Sequence, residues 1–497
     1  MLQLLNISFI CFSPFSNLSS FRIVPARKHE TTMSSTDRPF IVSILEKGNR
    51  NASGEDRKPK LPAATSKVHW ILHFDVNESI LVGDEVGGDA EEDCYNKILA
   101  KSAFVQIPIL RGNDSENNHK EGRQYDYDNT SRLVPTHWWD GTPIVERPPS
   151  RNAGEQNKSC PPLYTGWHWP KGCCPYYRTS YKRLAKTFIN HHGSIYRPVY
   201  EDLKKSMAGV CGTQAPSSVF RNILPSFFRT VAELVTMQKE HGGPAITIVF
   251  RTFGTDLPEI AKAITAFARG QHKDYPNFIH PEYELPVDRL YQAKWMISCQ
   301  TDNTEEYQYH LFPYSGERDV ASEQSAVALG DEQVLTLLHN TNGGHVFGIR
   351  EDYDMWRKHN WEPWAGKPVW VTKQSKEDNP SEIYHHHVLF DDNIHNLPHD
   401  GIASVRRPVV DTTIHREAKS EASFTRYESL PGTEIQAMHG LHLIRVPTVE
   451  PMLNHDWFLQ QVAKVQAAVN QKYLSLDCYG KHPECMVSET ASSDRKK

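Results

Sequence analysis

Four features are scarce in this chain, and each scarcity closes off a class of function. No run of about 18 apolar residues occurs, so a membrane-spanning helix is not expected. Positive charge is not in excess. Lysine and arginine total 55 against 60 aspartates and glutamates, a formal net charge of −5, and that balance offers no electrostatic case for a nucleic-acid partner. Cysteine is sparse, nine in 497 residues at no framework spacing, which favours a reducing compartment over a disulfide-stapled fold. Phosphate-loop and nucleophile-elbow signatures are missing: Gly87-Gly88 and Gly343-Gly344-His345 precede no Gly-Lys-Ser/Thr and read as turns.

Acidic residues are also absent from 1–29, a stretch rich in serine that carries Arg22, Arg27 and Lys28. Two readings stand. One is an organelle transit peptide or weak signal sequence; the other is an upstream start codon, with the protein beginning at Met33 and residing in the cytoplasm. Sequons at Asn51, Asn113, Asn129 and Asn157 are of the kind that an Asn- and Ser-rich chain produces by chance.

What is present is more specific. The apolar run His69-Trp70-Ile71-Leu72-His73-Phe74 leads into Asp75-Val76-Asn77-Glu78-Ser79, and His387-Val388-Leu389-Phe390 leads into Asp391-Asp392-Asn393. Both read as buried strands of a parallel sheet, and open α/β sheets place ligand sites at the C-terminal ends of such strands. Carboxylates converging there suit a hard divalent cation, above all Mg²⁺.

The rest of the chain fits an α/β alternation. Polar residues 1–65 form a leader and lead-in. Ala90–Leu99 starts with acidic residues as a helix does. Phe227, Val231, Leu234 and Val235 follow helical spacing up to Gly242-Gly243. Ala245–Phe250 is a buried strand running into Arg251-Thr252, and a helix then starts with Thr255 as N-cap. Residues 270–345 are less regular, a second excursion. Gly366–Val371 is a short extended segment, Leu441–Val446 a last strand, and Trp457, Leu459, Val462, Val465 and Val469 mark a closing helix. The tail over 476–497 is polar.

In this order of motifs the chain resembles the haloacid dehalogenase-like superfamily of phosphatases and phosphotransferases. That family carries a strand ending in D-x-D-x-T/S, a strand ending in Thr or Ser, a lysine, and a strand ending in paired acids. The matching positions are Asp75 to Ser79, Thr252, Lys367 (or Lys373) and Asp391-Asp392. The resemblance implies a three-layer Rossmann-like α/β core over 66–85 and 223–475, with a cap-type insertion over 86–222. It implies Asp75 as the nucleophile on a small phosphorylated substrate, Thr252 and Lys367 as phosphoryl ligands, and Mg²⁺ held by Asp75, Asp391 and Asp392.

Asn77 departs from the pattern. The family's usual residue there is Asp, acting as general acid and base, and an amide cannot exchange that proton. Glu78 is adjacent but points the other way on an extended strand. The competing expectation is therefore a catalytically inactive binding protein that keeps the metal and phosphate pocket.

Three further clusters invite other readings. Cys160, Cys173, Cys174 and His168 lack zinc-knuckle spacing. His385-His386-His387 alternate along a strand, so they cannot all face one ion, and they read as a partly buried sheet edge. The aromatic stretch Tyr164–Arg178 suits either stacking on a base or glycan, or packing of the insertion's own core, and the second is favoured.

Overall fold

All eight residues of β1 (Val68–Asp75) are buried, because a strand covered on both faces needs apolar or satisfied side chains throughout. Trp70, Leu72 and Phe74 turn to one face; His69, Ile71, His73 and Asp75 turn to the other. The computed structural model describes residues 68–83, 88–107, 133–145, 160–208, 219–241, 246–300, 305–316, 326–340, 342, 344–371, 383–395, 401–409 and 426–471. The expected leader and tail, Met33, the sequons at Asn51, Asn113, Asn129 and Asn157, Gly242-Gly243 and Lys373 lie outside the described residues.

Around β1 the chain adds β2 (Phe104–Gln106), β3 (Cys173–Pro175), β4 (Ile246–Thr252), β5 (Leu290–Gln300), β6 (Glu305–Pro313), β7 (Val346–Arg350), β8 (Lys367–Trp370), β9 (Tyr384–Asp391), β10 (Ala403–Val409), β11 (Arg426–Ser429) and β12 (Leu443–Arg445). Seven of them form the central sheet, in the order β12-β9-β1-β4-β7-β5-β6. All its pairings are parallel except β5 with β6. The irregular stretch after residue 270 thus supplies two strands at one edge of this sheet. A second, three-stranded sheet, β11-β10-β8, carries Lys367.

Helices cover both faces. Phe227 and Phe458, from α2 (Pro225–His241) and α5 (Trp457–Val469), meet the ring of Phe74 edge-on at 5.2 and 5.6 Å. α1 (Glu91–Ser102) and α3 (Leu257–Ala268) share that apolar core. On the other face α4 (Gly330–His339) packs Val334, Leu335 and Leu338 with Ile71 and Val249, while the small sheet packs Val369 and Val405 with Leu389. The result is a mixed α/β architecture with a mostly parallel central sheet. Among the described residues, no helix is long and apolar enough to cross a membrane.

Two expectations need correction. β9 is an interior strand between β1 and β12, so its histidines do not lie on an edge. His385 and His387 face the histidines of β1, with His69 Nδ1 3.0 Å from His385 Nδ1 and His73 Nε2 2.9 Å from His387 Nδ1. Imidazoles can donate and accept, so they satisfy one another where no water reaches. The helix after β4 starts at Leu257 with Asp256, not Thr255, at its N-cap.

The insertion after β1 packs into the same core: Trp138 stacks on Tyr176 and meets Phe188 and Tyr196 edge-on. Its Trp-rich stretch reaches the C-terminal ends of β9 and β12. Trp167 stacks on His439 at 3.9 Å, Trp169 tilts over His395, and Arg445 Nη1 donates to Gly166 O at 2.8 Å. These rings therefore spend faces on protein partners.

Candidate active site

Adjacent parallel strands in register bring chain-distant residues to one end of the sheet. Phe74 pairs with Phe390 and Asp75 with Arg251, so Asp75, Asp391 and Thr252 stand side by side on β1, β9 and β4. From the small sheet, the fully buried Lys367 extends its Nζ between two of them, 2.5 Å from Asp75 Oδ1 and 2.8 Å from Asp391 Oδ2. Arg251 steadies that strand by donating from Nη1 to Pro368 O at 3.0 Å, and its other side pairs with Glu351.

The loop after β1 builds the second half of the site. Ser79 Oγ donates to Asp75 Oδ2 at 2.9 Å and accepts from Asp392 N at 3.0 Å, tying the two acidic motifs together. Asn393 caps the acids, its N donating to Asp391 Oδ1 and its Nδ2 to Asp392 Oδ1. Lys101 Nζ, from α1, lies 2.7 Å from Asp392 Oδ2 and also pairs with Glu78.

Glu78 differs from expectation. The chain is not extended there but turns, with Glu78 at φ 59°, and its buried carboxylate swings toward Lys101 and Lys97. Burial favours the neutral acid, but Lys101 and Lys97 outweigh it and hold Glu78 below its ordinary range. It remains unsuited to proton donation, for this electrostatic reason and not for the geometric one.

The three carboxylates can offer ligand atoms all within 4.8 Å of one another, and this is the group among the described residues that could hold a metal. Burial pushes Asp75 well above the usual carboxylate range; Lys367 offsets part of that, and Asp391 and Asp392 add to it. Asp392 is likewise pushed up to about 6, by burial first, with Glu78 and Asp391 adding to the effect against Lys101. Lys367 is itself held above its ordinary value by Asp391 and Asp75 despite its burial. Negative charge in excess of the available lysines, on oxygens that each keep a second lone pair, fits a hard dication such as Mg²⁺.

Asn77 faces β4. Its Nδ2 donates to Asp256 Oδ2 at 3.0 Å, and Thr252 Oγ1 donates to the same oxygen at 3.4 Å. Asp256, Lys101 and Ser79 escaped a role in the reading of the sequence. Lys97 and Lys101 do show the four-residue spacing that puts both on one helical face, but the Asp392 partner of Lys101 lies 291 residues further along the chain. The zinc alternative finds no geometry: Cys173 and Cys174 are successive on β3 and point apart, and burial pushes their thiols up to about 11 and about 12.

No family model matches the chain, and searches of curated proteins and of solved structures find no similar protein.

Proposed function

We propose that this chain is a Mg²⁺-dependent hydrolase or transferase of phosphate esters, built on a haloacid dehalogenase-like core and acting on a small phosphorylated metabolite. The observation supporting this most strongly is the meeting of Asp75, Lys367, Asp391 and Asp392, with Thr252 on the strand beside them, at the C-terminal ends of neighbouring strands.

In this reading Asp75 attacks phosphorus: the bond from its carboxylate oxygen forms as the bond to the leaving oxygen breaks, leaving an aspartyl-phosphate. Lys367 offsets the charge of the nucleophile and of the phosphoryl oxygens, and the Thr252 hydroxyl, giving up its long 3.4 Å contact with Asp256 Oδ2, donates to those oxygens. Mg²⁺ held by Asp75, Asp391 and Asp392 would supply further positive charge at the phosphoryl group.

Asn77 favours a second reading, a binding protein that retains the metal and phosphate pocket without turnover. Hydrolysis of an aryl phosphate and a panel of phosphorylated metabolites, with Mg²⁺ or EDTA and beside Asp75→Asn, separates the two. Mg²⁺-dependent turnover lost in Asp75→Asn supports the enzyme. No turnover, with Mg²⁺ still raising the melting temperature, supports the binding protein.

A further inference from the structure

Asp256 occupies an unusual position for a helix N-cap. Its side chain makes no capping bond to α3, although Asp at that position normally accepts from the first turn. The carboxylate instead turns back to Asn77 Nδ2 and Thr252 Oγ1, at 3.0 and 3.4 Å. Glycine at 254 makes room for this: a Cβ there would lie 2.3 Å from Asp256 Oδ2 and 3.3 Å from Asn77 Nδ2. Gly254 N also donates to Thr252 Oγ1 at 2.8 Å, which orients that hydroxyl toward Asp256. Asn77 Oδ1 is buried and has no hydrogen-bond partner among the described residues. A partly buried carboxylate is therefore docked against Asn77, two residues along the chain from the nucleophile, and against the threonine assigned to the phosphoryl group.

We propose that Asp256, positioned by Asn77, is the base for hydrolysis of the aspartyl-phosphate, and that the site acts on phosphates whose leaving oxygen is weakly basic, as in aryl, acyl and phosphoanhydride substrates. The inference rests on the phosphatase reading above. In the hydrolytic step the water oxygen forms a bond to phosphorus while the bond from phosphorus to the Asp75 oxygen breaks. One water proton passes to Asp256, Asp75 departs as carboxylate, the product is hydrogen phosphate, and Asp256 then releases its proton to solvent. Asn77 Oδ1 can accept the water's other proton as a hydrogen bond. The substrate class follows from the first step. Asn77 has no proton to give, Glu78 is bound by two lysines, and Asp256, accepting from Asn77 as a carboxylate and needed as the base for the next step, brings no proton to the first one, so the leaving oxygen departs without protonation by residue 77, 78 or 256.

The test is acid-quench trapping of phosphorylated protein during turnover of a series of aryl phosphates and an alkyl phosphate. The full chain is compared with Asp256→Asn and Asp256→Ala in Mg²⁺. Asp256→Asn should be phosphorylated at close to the wild-type rate but turn over about 10²–10⁴-fold more slowly, so that trapped phosphoprotein accumulates. Added formate should restore turnover to Asp256→Ala, a result that a merely misfolded variant cannot give. Rates should fall steeply from aryl to alkyl phosphate. Wild-type turnover in Asp256→Asn, or no rescue by formate, overturns the base assignment and leaves the Asp75 reading standing. Equal rates on aryl and alkyl phosphates overturn the substrate class. A wild-type protein that neither turns over nor becomes labelled overturns the functional reading, and the inference with it.

Discussion

Arg251 Nη1 donates to His73 Nδ1 at 3.0 Å, and this contact sets the tautomers of three histidines. Arginine has no acceptor, so His73 Nδ1 must accept and Nε2 carries the proton. That proton faces His387 Nδ1 at 2.9 Å, and His387 Nε2 in turn faces His339 Nε2 at 3.0 Å. The chain of imidazoles is consistent only while each ring is neutral, since an imidazolium cannot accept.

Acid should therefore destabilise the fold. Burial first, then the neighbouring imidazoles, lowers both His69 and His339 to about 3, against 6.5 in the unfolded chain. Their contribution is complete above about pH 6.5 and is lost as pH falls toward 3, because the unfolded chain binds protons the folded one refuses. The slope is up to about 1.4 kcal/mol per pH unit for each histidine. Urea unfolding at pH 7.5 and 5.0, wild type against His69→Gln/His339→Gln, measures it. A pH dependence unchanged in the double variant would refute the assignment.

Removing Lys367 should cost more than surface lysines do. Its ammonium is fully buried between Asp75 and Asp391, so Lys367→Met leaves two buried carboxylates facing each other without a cation. A loss of about 3–5 kcal/mol is expected. Denaturant titration without divalent metal tests this, and wild-type stability in the variant would sink the argument.

Lys101 competes with a dication for Asp392. Its Nζ sits 2.7 Å from Asp392 Oδ2, on one of the three carboxylates that can share an ion. Lys101→Met should raise Mg²⁺ affinity by about tenfold, equivalent to about 1.4 kcal/mol. Calorimetric titration reads this directly; unchanged or weaker binding would mean that Lys101 supports the metal site instead of opposing it.

Asn77→Asp would place a second carboxylate against Asp256, where the amide now lies 3.0 Å from Oδ2. Like charges that close share a proton, and the pair would gain the acid the present site lacks. Turnover of alkyl phosphates should rise relative to aryl phosphates, with a new ionisation in the pH profile. A folded variant with unchanged leaving-group dependence would falsify this account.

Much of this architecture was legible locally. Unbroken apolar runs marked β1, β4 and β9 as strands buried on both faces, and the acids that end β1 and β9 marked the end of the sheet that carries the candidate site. Helical spacing marked α2 and α5. Strand and helix periodicity is carried by neighbouring residues, which is why it can be read without knowing the fold.

Side-chain convergence has no such local signature. Only the packing of the small sheet brings Lys367 between Asp75 and Asp391, and Lys101 reaches Asp392 across 291 residues of chain. Asp256 meets Asn77 across 179, and only because Gly254 leaves room and the carboxylate declines its local role as a helix cap. The sequence by itself determined the strands and the acids at their ends, because those depend on periodicity and burial. Which bases and cations meet those acids was decided by tertiary structure, because it depends on loops and helix positions that no local pattern encodes.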